Sequence, residues 1–79
     1  MKPHLVLIEW NDSHSYNEWH RDNPARTPLK CISVGYLMYN GKKVKTVAGH
    51  VAQDFRQRGA EMTIPASAIT RISRLAVKR

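Results

Sequence analysis

Short runs of hydrophobic residues alternate with stretches rich in polar residues, glycine and proline, a pattern typical of β-strands joined by turns. Residues 3–10 predict the first strand. Its apolar residues occupy both faces, with Leu7 on one and Ile8 and Trp10 on the other. Because a strand that is apolar on both faces is usually covered on both, we expect it inside a small barrel or in an oligomer built by sheet association.

A β-hairpin is predicted at the centre of the sheet, with strands over residues 29–39 and 42–51. The two runs are joined by Asn40-Gly41. This dipeptide favours a type I′ turn, because asparagine and glycine both tolerate the positive φ that such a turn requires. Gly35 lies within the first of these strands, where a glycine commonly marks a bend or a close backbone approach.

The connection before this hairpin, residues 11–28, is predicted to be irregular, because polar residues and prolines are dense there. One short helical turn over residues 15–20 is compatible with the spacing of Tyr16 and Trp19. A connection of this length is unusual in a compact domain, so we expect it to be functional or to form a lid on a barrel.

The second half of the chain predicts two further strands. Residues 52–60 form a polar tip, residues 61–64 a short strand, and residues 65–69 a 3₁₀ turn opened by proline. A last strand is then predicted over residues 70–75, where β-branched residues dominate. The alternative is an amphipathic helix over residues 69–79, since apolar residues recur there at every third position.

The resulting element order is typical of a mainly β, five-stranded SH3-like or Sm-like small barrel that spans residues 1–79 as a single domain. Residues 35–44 followed by residues 62–72 resemble the last strands of the Sm fold, in which a strand, a short turn and a further strand close the barrel. The residues with which Sm proteins contact RNA are not recognisable here, so the resemblance does not imply RNA binding at particular positions.

Three short segments are similar to small uncharacterised proteins encoded by bacteriophages and prophages. They are residues 10–13 (Trp-Asn-Asp-Ser), residues 31–36 (Cys-Ile-Ser-Val-Gly-Tyr) and residues 62–65 (Met-Thr-Ile-Pro). This resemblance implies a phage-type protein in the cytoplasm of a bacterial host cell, and it carries no known active site.

The composition limits the classes of function. A chain of 79 residues has little room for a deep substrate pocket beside its core. Cys31 is the only cysteine, which excludes an internal disulfide framework and a cysteine-based zinc site, and it is expected to be a buried small hydrophobic residue in a reducing compartment. No apolar run is long enough for a membrane span, so no membrane partner is expected.

Positive charge is concentrated in the second half of the chain and accounts for the formal net charge of +7. Such a charge attracts polyanions, although it also keeps a small protein soluble. Tyr36, Tyr39 and Phe55 are placed to supply stacking surfaces beside these cations. We therefore expect a basic face that binds nucleic acid, either RNA or DNA. Its predicted residues are Lys42, Lys43, Lys45, Arg56, Arg58, Arg71 and Arg74.

A protein partner is the alternative. Tyr16 and Trp19 in the irregular connection form an aromatic patch of the kind found at interface hot spots, which would suit docking on a host protein or a defence complex. A third alternative is an anionic small ligand held between the subunits of a homo-oligomer. The lysines of the hairpin are equally compatible with a monomer, because edge lysines discourage strand pairing between chains.

Catalysis is not predicted. His14 and His20 are six positions apart, rather than three or four apart on one helix face, and no cysteine pair accompanies them. The serines lack the glycine context of a nucleophile elbow, and the glycines are too scattered to hold a phosphate. The sequence therefore predicts a protein that is not an enzyme and that uses no cofactor or metal.

Overall fold

The computed structural model describes residues 2–13, 23–24 and 26–78. Within them the chain forms five strands and one 3₁₀ turn, with no α-helix. The mainly β prediction is thus confirmed, as is a last strand in place of the alternative C-terminal helix. The elements are β1 (Leu5–Asp12), β2 (Leu29–Asn40), β3 (Val44–Val51), β4 (Arg58–Pro65), the 3₁₀ turn (Ala66–Ala68) and β5 (Ile69–Arg74).

All strand pairs are antiparallel, and the strand order in the sheet is β4-β3-β2-β1-β5. The long strand β2 pairs with two neighbours along different parts of its length. Its residues from Leu29 to Tyr36 pair with β1, and those from Tyr36 to Asn40 pair with β3. Gly35 lies at this change of partner and is buried. A Cβ atom on Gly35 would lie 2.7 Å from the carbonyl oxygen of Ala48, so the predicted close backbone approach is confirmed.

The sheet is strongly curled. Strands β4 and β5 form its two edges, yet only Ala66–Ala68 connect them. In a flat sheet these edges would be about 19 Å apart, whereas a 3₁₀ segment of this length spans only about 8 Å. The edges therefore approach each other at the 3₁₀ turn. Among the described residues no strand pairing joins β4 to β5, so the sheet remains open.

The hydrophobic core lies on the inner face of the sheet, which we define as the face that carries Val6 and Ile8. Because the sheet curls, these β1 residues share one buried cluster with Val47 of β3 and Ile64 of β4. Trp10 packs against this cluster, as predicted, and its Nε1 donates a hydrogen bond of 3.0 Å to the Ser33 hydroxyl. Leu37, Ala68 and Ile69 complete the packing.

The outer face of the sheet, which carries Leu5 and Leu7, is less well covered. Leu7 is half-buried and lies opposite Val34 of β2. Val34 and its neighbour on the same face, Ile32, are 54% and 68% exposed. The expectation that both faces of the first strand are covered is therefore confirmed for the inner face only.

The turn between β2 and β3 differs from the predicted type I′ geometry. Neither Asn40 nor Gly41 has a positive φ, and the connection consists of residues 41–43. The ammonium group of Lys45 contacts the Asn40 side-chain oxygen and the Gly41 carbonyl, and thereby holds the turn from outside the dipeptide. A Cβ atom at position 41 would overlap the ring of Tyr39, so this exposed side chain would have to turn aside for any residue larger than glycine.

Two smaller predictions also require correction. Strand β4 begins at Arg58, within the stretch predicted as a polar tip, because residues 58–61 continue the pairing with β3. Cys31 is half-buried instead of buried, since it lies near the end of β2 on the rim of the core.

Candidate nucleic-acid interface

The seven basic residues predicted to form one face occupy three separate parts of the molecule. Lys42 and Lys43 lie in the β2–β3 turn, and Lys45 lies at the start of β3. The loop at the other end of β3 carries Arg56, and Arg58 begins β4. Since eight residues of β-strand span about 24 Å, β3 holds these two groups far apart. Arg71 and Arg74 form the third group, on β5.

Several of these cations are engaged within the chain. The guanidinium group of Arg58 forms an ion pair with Glu61, and Arg71 Nε lies 4.0 Å from a carboxylate oxygen of Glu9. Such exposed pairs contribute at most about 1 kcal/mol, so a polyanion can compete for both arginines. Lys45 is half-buried and holds the turn as described above, which makes it the least available of the seven.

A cavity of about 510 Å³ lies on the outer face of the sheet, where three strands meet. Leu5 of β1 lies opposite Tyr36 of β2, and its carbonyl oxygen accepts a hydrogen bond of 2.8 Å from the Leu75 backbone nitrogen. Directly opposed residues point to the same face, so these three side chains form a row across the sheet. The cavity is lined by Lys2, Pro3, His4, Leu5, Tyr36, Phe55, Leu75 and Val77.

Phe55 reaches this cavity from the β3–β4 loop in a strained backbone conformation. Its φ is 62°, in the left-handed region that a bulky side chain rarely adopts. Hydrogen bonds fix this conformation: the Phe55 nitrogen donates to the Ala52 carbonyl at 2.8 Å, and the Ala52 nitrogen donates to the Gln57 carbonyl at 2.7 Å. In addition, an Asp54 carboxylate oxygen accepts a bond of 3.0 Å from the Arg56 nitrogen.

The lining of the cavity carries one lysine. Lys2 lies there together with His4. Arg74 lies opposite Val6 of the inner face, and its Nη2 donates a hydrogen bond of 3.1 Å to Nε2 of the lining residue His4. Arg56 follows Phe55 in the loop and is exposed. The lining contains no carboxylate, so the electrostatic environment favours an anionic ligand.

The cavity thus contains two of the predicted aromatic residues, Tyr36 and Phe55, and none of the seven predicted basic residues lines it. Arg74 contacts the lining residue His4, and Arg56 is the neighbour of Phe55 in the loop. Tyr39 is not part of the cavity; this side chain is 58% exposed and covers the β2–β3 turn. The sequence reasoning missed the contribution of Lys2, His4 and the residues after β5. The local pattern contains no signal for it, because these segments meet only through the pairing of β1 with β5.

A second cavity, of about 470 Å³, opens where β1 pairs with the beginning of β2. Its lining includes both Glu9 and Lys30, together with Trp10 and Cys31. The carboxylate of Glu9 would repel a polyanion at this position, so the cavity beside Phe55 is the better candidate for such a ligand.

The protein-binding alternative falls outside the described residues. Tyr16 and Trp19, the predicted helical turn over residues 15–20, and the histidines at 14 and 20 all belong to that part of the chain, so these predictions stand as they were. In the described ranges, no cluster of three or more histidine, cysteine, aspartate or glutamate residues is arranged to hold a metal ion. No described helix has the length and apolar character needed to cross a membrane.

Comparisons with known proteins give no further assignment. No protein-family model, no curated protein and no solved structure matches this chain.

Proposed function

We propose that this protein is a non-enzymatic binding module that contacts nucleic acid at the cavity beside Phe55. The observation that supports the proposal most strongly is a cavity whose lining contains Lys2 and two aromatic rings and no carboxylate. Arg74 is hydrogen-bonded to the lining residue His4, and exposed Arg56 follows Phe55 in the loop. Cations bind phosphate oxygens, and aromatic rings offer surfaces on which bases stack.

We further propose that the curled sheet is a small, partly open barrel of the SH3-like or Sm-like type, in a phage-type protein that acts in the cytoplasm of a bacterial host. Three features support the barrel: β2 is shared between two neighbours, a 3₁₀ turn links the two edge strands, and β1, β3 and β4 contribute to one core. In such a barrel, the outer face of β1 and β2 is available for a ligand.

The mechanism of binding follows from the placement of the charges. Each cation that contacts a phosphate displaces condensed counterions, so the affinity falls as the salt concentration rises. Lys2 lines the cavity, Arg74 contacts the lining residue His4, and Arg56 follows Phe55 in the loop. We expect Lys2 to contact a phosphate of the bound strand, and the two arginines to reach the phosphates that flank it.

Fluorescence anisotropy with labelled RNA and DNA at two salt concentrations tests this proposal. We expect binding that weakens steeply with salt. Arg56→Glu should weaken it about tenfold for all sequences and reduce the salt slope by about 1. Lys30→Glu is the matched control. Lys30 is exposed and lies opposite Asn11, whereas the cavity lies at the other end of β1, beside Leu5. This variant should therefore bind nearly normally.

Two results would contradict the proposal. The first is an absence of binding to any nucleic acid at low salt, which would leave the positive charge with a role in solubility only. The second is binding that does not change with salt, because phosphate contacts necessarily release counterions.

A further inference from the structure

We propose that the cavity beside Phe55 receives a single unpaired base, so that the protein prefers single-stranded nucleic acid to a duplex. This inference rests on the proposed function and adds the form of nucleic acid that is bound. Its basis is the position of two aromatic rings, Tyr36 and Phe55, in the lining of a concave site that also contains aliphatic side chains.

The shape and lining of the cavity suit a planar, weakly polar group. Its volume of about 510 Å³ lies in the range of small-ligand sites, roughly 300–1,000 Å³. Leu5, Leu75 and Val77 provide aliphatic walls beside the two rings. A base within a duplex is stacked on both sides and paired at its edge, so only an unpaired or flipped base can enter such a site.

The rim suits the phosphates on either side of that base. The contact with His4 uses one amino group of the Arg74 guanidinium. The other N–H groups do not contact His4 and can donate to a phosphate oxygen. Lys2 lines the same rim. An aromatic side chain of a protein partner would fill the apolar part of the cavity equally well, but it would leave these cations without an anion. The charge therefore favours a nucleotide.

The backbone of Phe55 is an independent reason to assign a role to its ring. An aromatic residue at φ 62° is disfavoured relative to glycine or asparagine, which adopt this conformation readily. Strained residues of this kind concentrate at ligand sites. Here the hydrogen bonds of the loop hold Phe55 in this strained conformation. In this conformation the aromatic ring of Phe55 reaches the cavity.

The test compares three ligands with identical labels: a single-stranded oligothymidylate, the same oligomer made fully abasic, and a duplex of equal length. The abasic oligomer keeps the phosphates but lacks the bases. If a base enters the cavity, the intact single strand should bind about tenfold or more tightly than the abasic strand and more tightly than the duplex. This comparison uses the unaltered protein and does not depend on the folding of any variant.

Phe55→Asn then locates the effect. Asparagine tolerates the left-handed conformation, so the variant should unfold at a temperature close to that of the parent protein. Its affinity for the intact strand should fall to that for the abasic strand, whose binding should not change. Tyr39→Asn removes an aromatic ring outside the cavity and is the matched control, with binding unchanged.

The outcomes separate this inference from the proposed function. Equal, salt-dependent binding of intact and abasic strands would overturn the base site while leaving polyanion binding intact. An unaffected Phe55→Asn variant would do the same. Loss of binding to all three ligands would overturn both proposals.

Discussion

Gly35 shows how one residue shapes the sheet. It precedes Tyr36, the residue at which β2 pairs with both β1 and β3, and it is buried. The atoms that would meet a Cβ at this position are backbone atoms of Ala48, at 2.7 and 3.2 Å. Backbone in a paired strand cannot move aside as a flexible side chain can, so a larger residue must push two strands apart.

We therefore expect Gly35→Ala to lower the free energy of unfolding by about 1–3 kcal/mol, measured by urea denaturation. The matched control is Gly49→Ala in β3. Gly49 is exposed, and the nearest atom to its added Cβ is the side-chain methyl of Ala60 at 3.1 Å, so the loss should be smaller. Equal losses in the two variants would show that the close approach at Gly35 does not matter for stability.

At the scale of the strand, the two faces of β1 contribute unequally to the hydrophobic core. Ile8 on the inner face is fully buried in the core. The outer face is lined by half-buried Leu7, while Ile32 beside it on β2 is 68% exposed. The stability of the sheet should thus depend on the inner face of the strand more than on the outer face.

A pair of identical substitutions measures this difference. Ile8→Ala should cost about 2–5 kcal/mol because it leaves a cavity in the core. This is a large fraction of the stability of about 4–12 kcal/mol expected for a chain of this size, so much of the variant should be unfolded. Ile32→Ala should change the stability by no more than about 0.5 kcal/mol. Similar urea midpoints for the two variants would contradict the assignment of the inner face.

The strands themselves could be predicted because their signals are local. Alternating apolar residues, the proline at position 65 and the β-branched residues after it identify β1, β2, β3, the 3₁₀ turn and β5. The turn type could not be predicted, because Lys45 contacts Asn40 and Gly41 from outside the dipeptide. The sequence also does not show that β4 begins at Arg58. The first residues of this strand are mostly exposed, so they lack the apolar pattern that marks a strand.

The cavity was beyond sequence reasoning for a different physical reason. Its lining combines the first residues of the described chain, the middle of β2, the β3–β4 loop and the segment after β5. These segments meet through tertiary contacts, and the local sequence pattern of each one does not predict which other segments it contacts. The aromatic residues Tyr36 and Phe55 could be identified as stacking candidates, but their common position could not.

For the molecule as a whole, the separation of the basic groups predicts a dependence on ligand length. Lys42 and Lys43 precede β3, whereas the loop that carries Phe55 follows it, so the two sites lie at opposite ends of this strand. Double substitution of both lysines by glutamate should leave the binding of a strand that only fills the cavity nearly unchanged. The same variant should weaken the binding of longer strands that reach the turn, with a smaller salt slope.

Anisotropy titrations with single strands of increasing length measure this effect. A uniform loss at all lengths would instead indicate that the lysines act through the general field of the protein, and that a strand does not follow a path from the cavity to the turn.

The pairing of β1 with β5 also determines when the protein can fold. His4 and Arg74, which form a hydrogen bond in the finished structure, are 70 positions apart. One edge of β1 stays unpaired until residues 69–74 are available to pair with it. A partly folded chain therefore presents an apolar strand with a free edge, which is a state prone to aggregation.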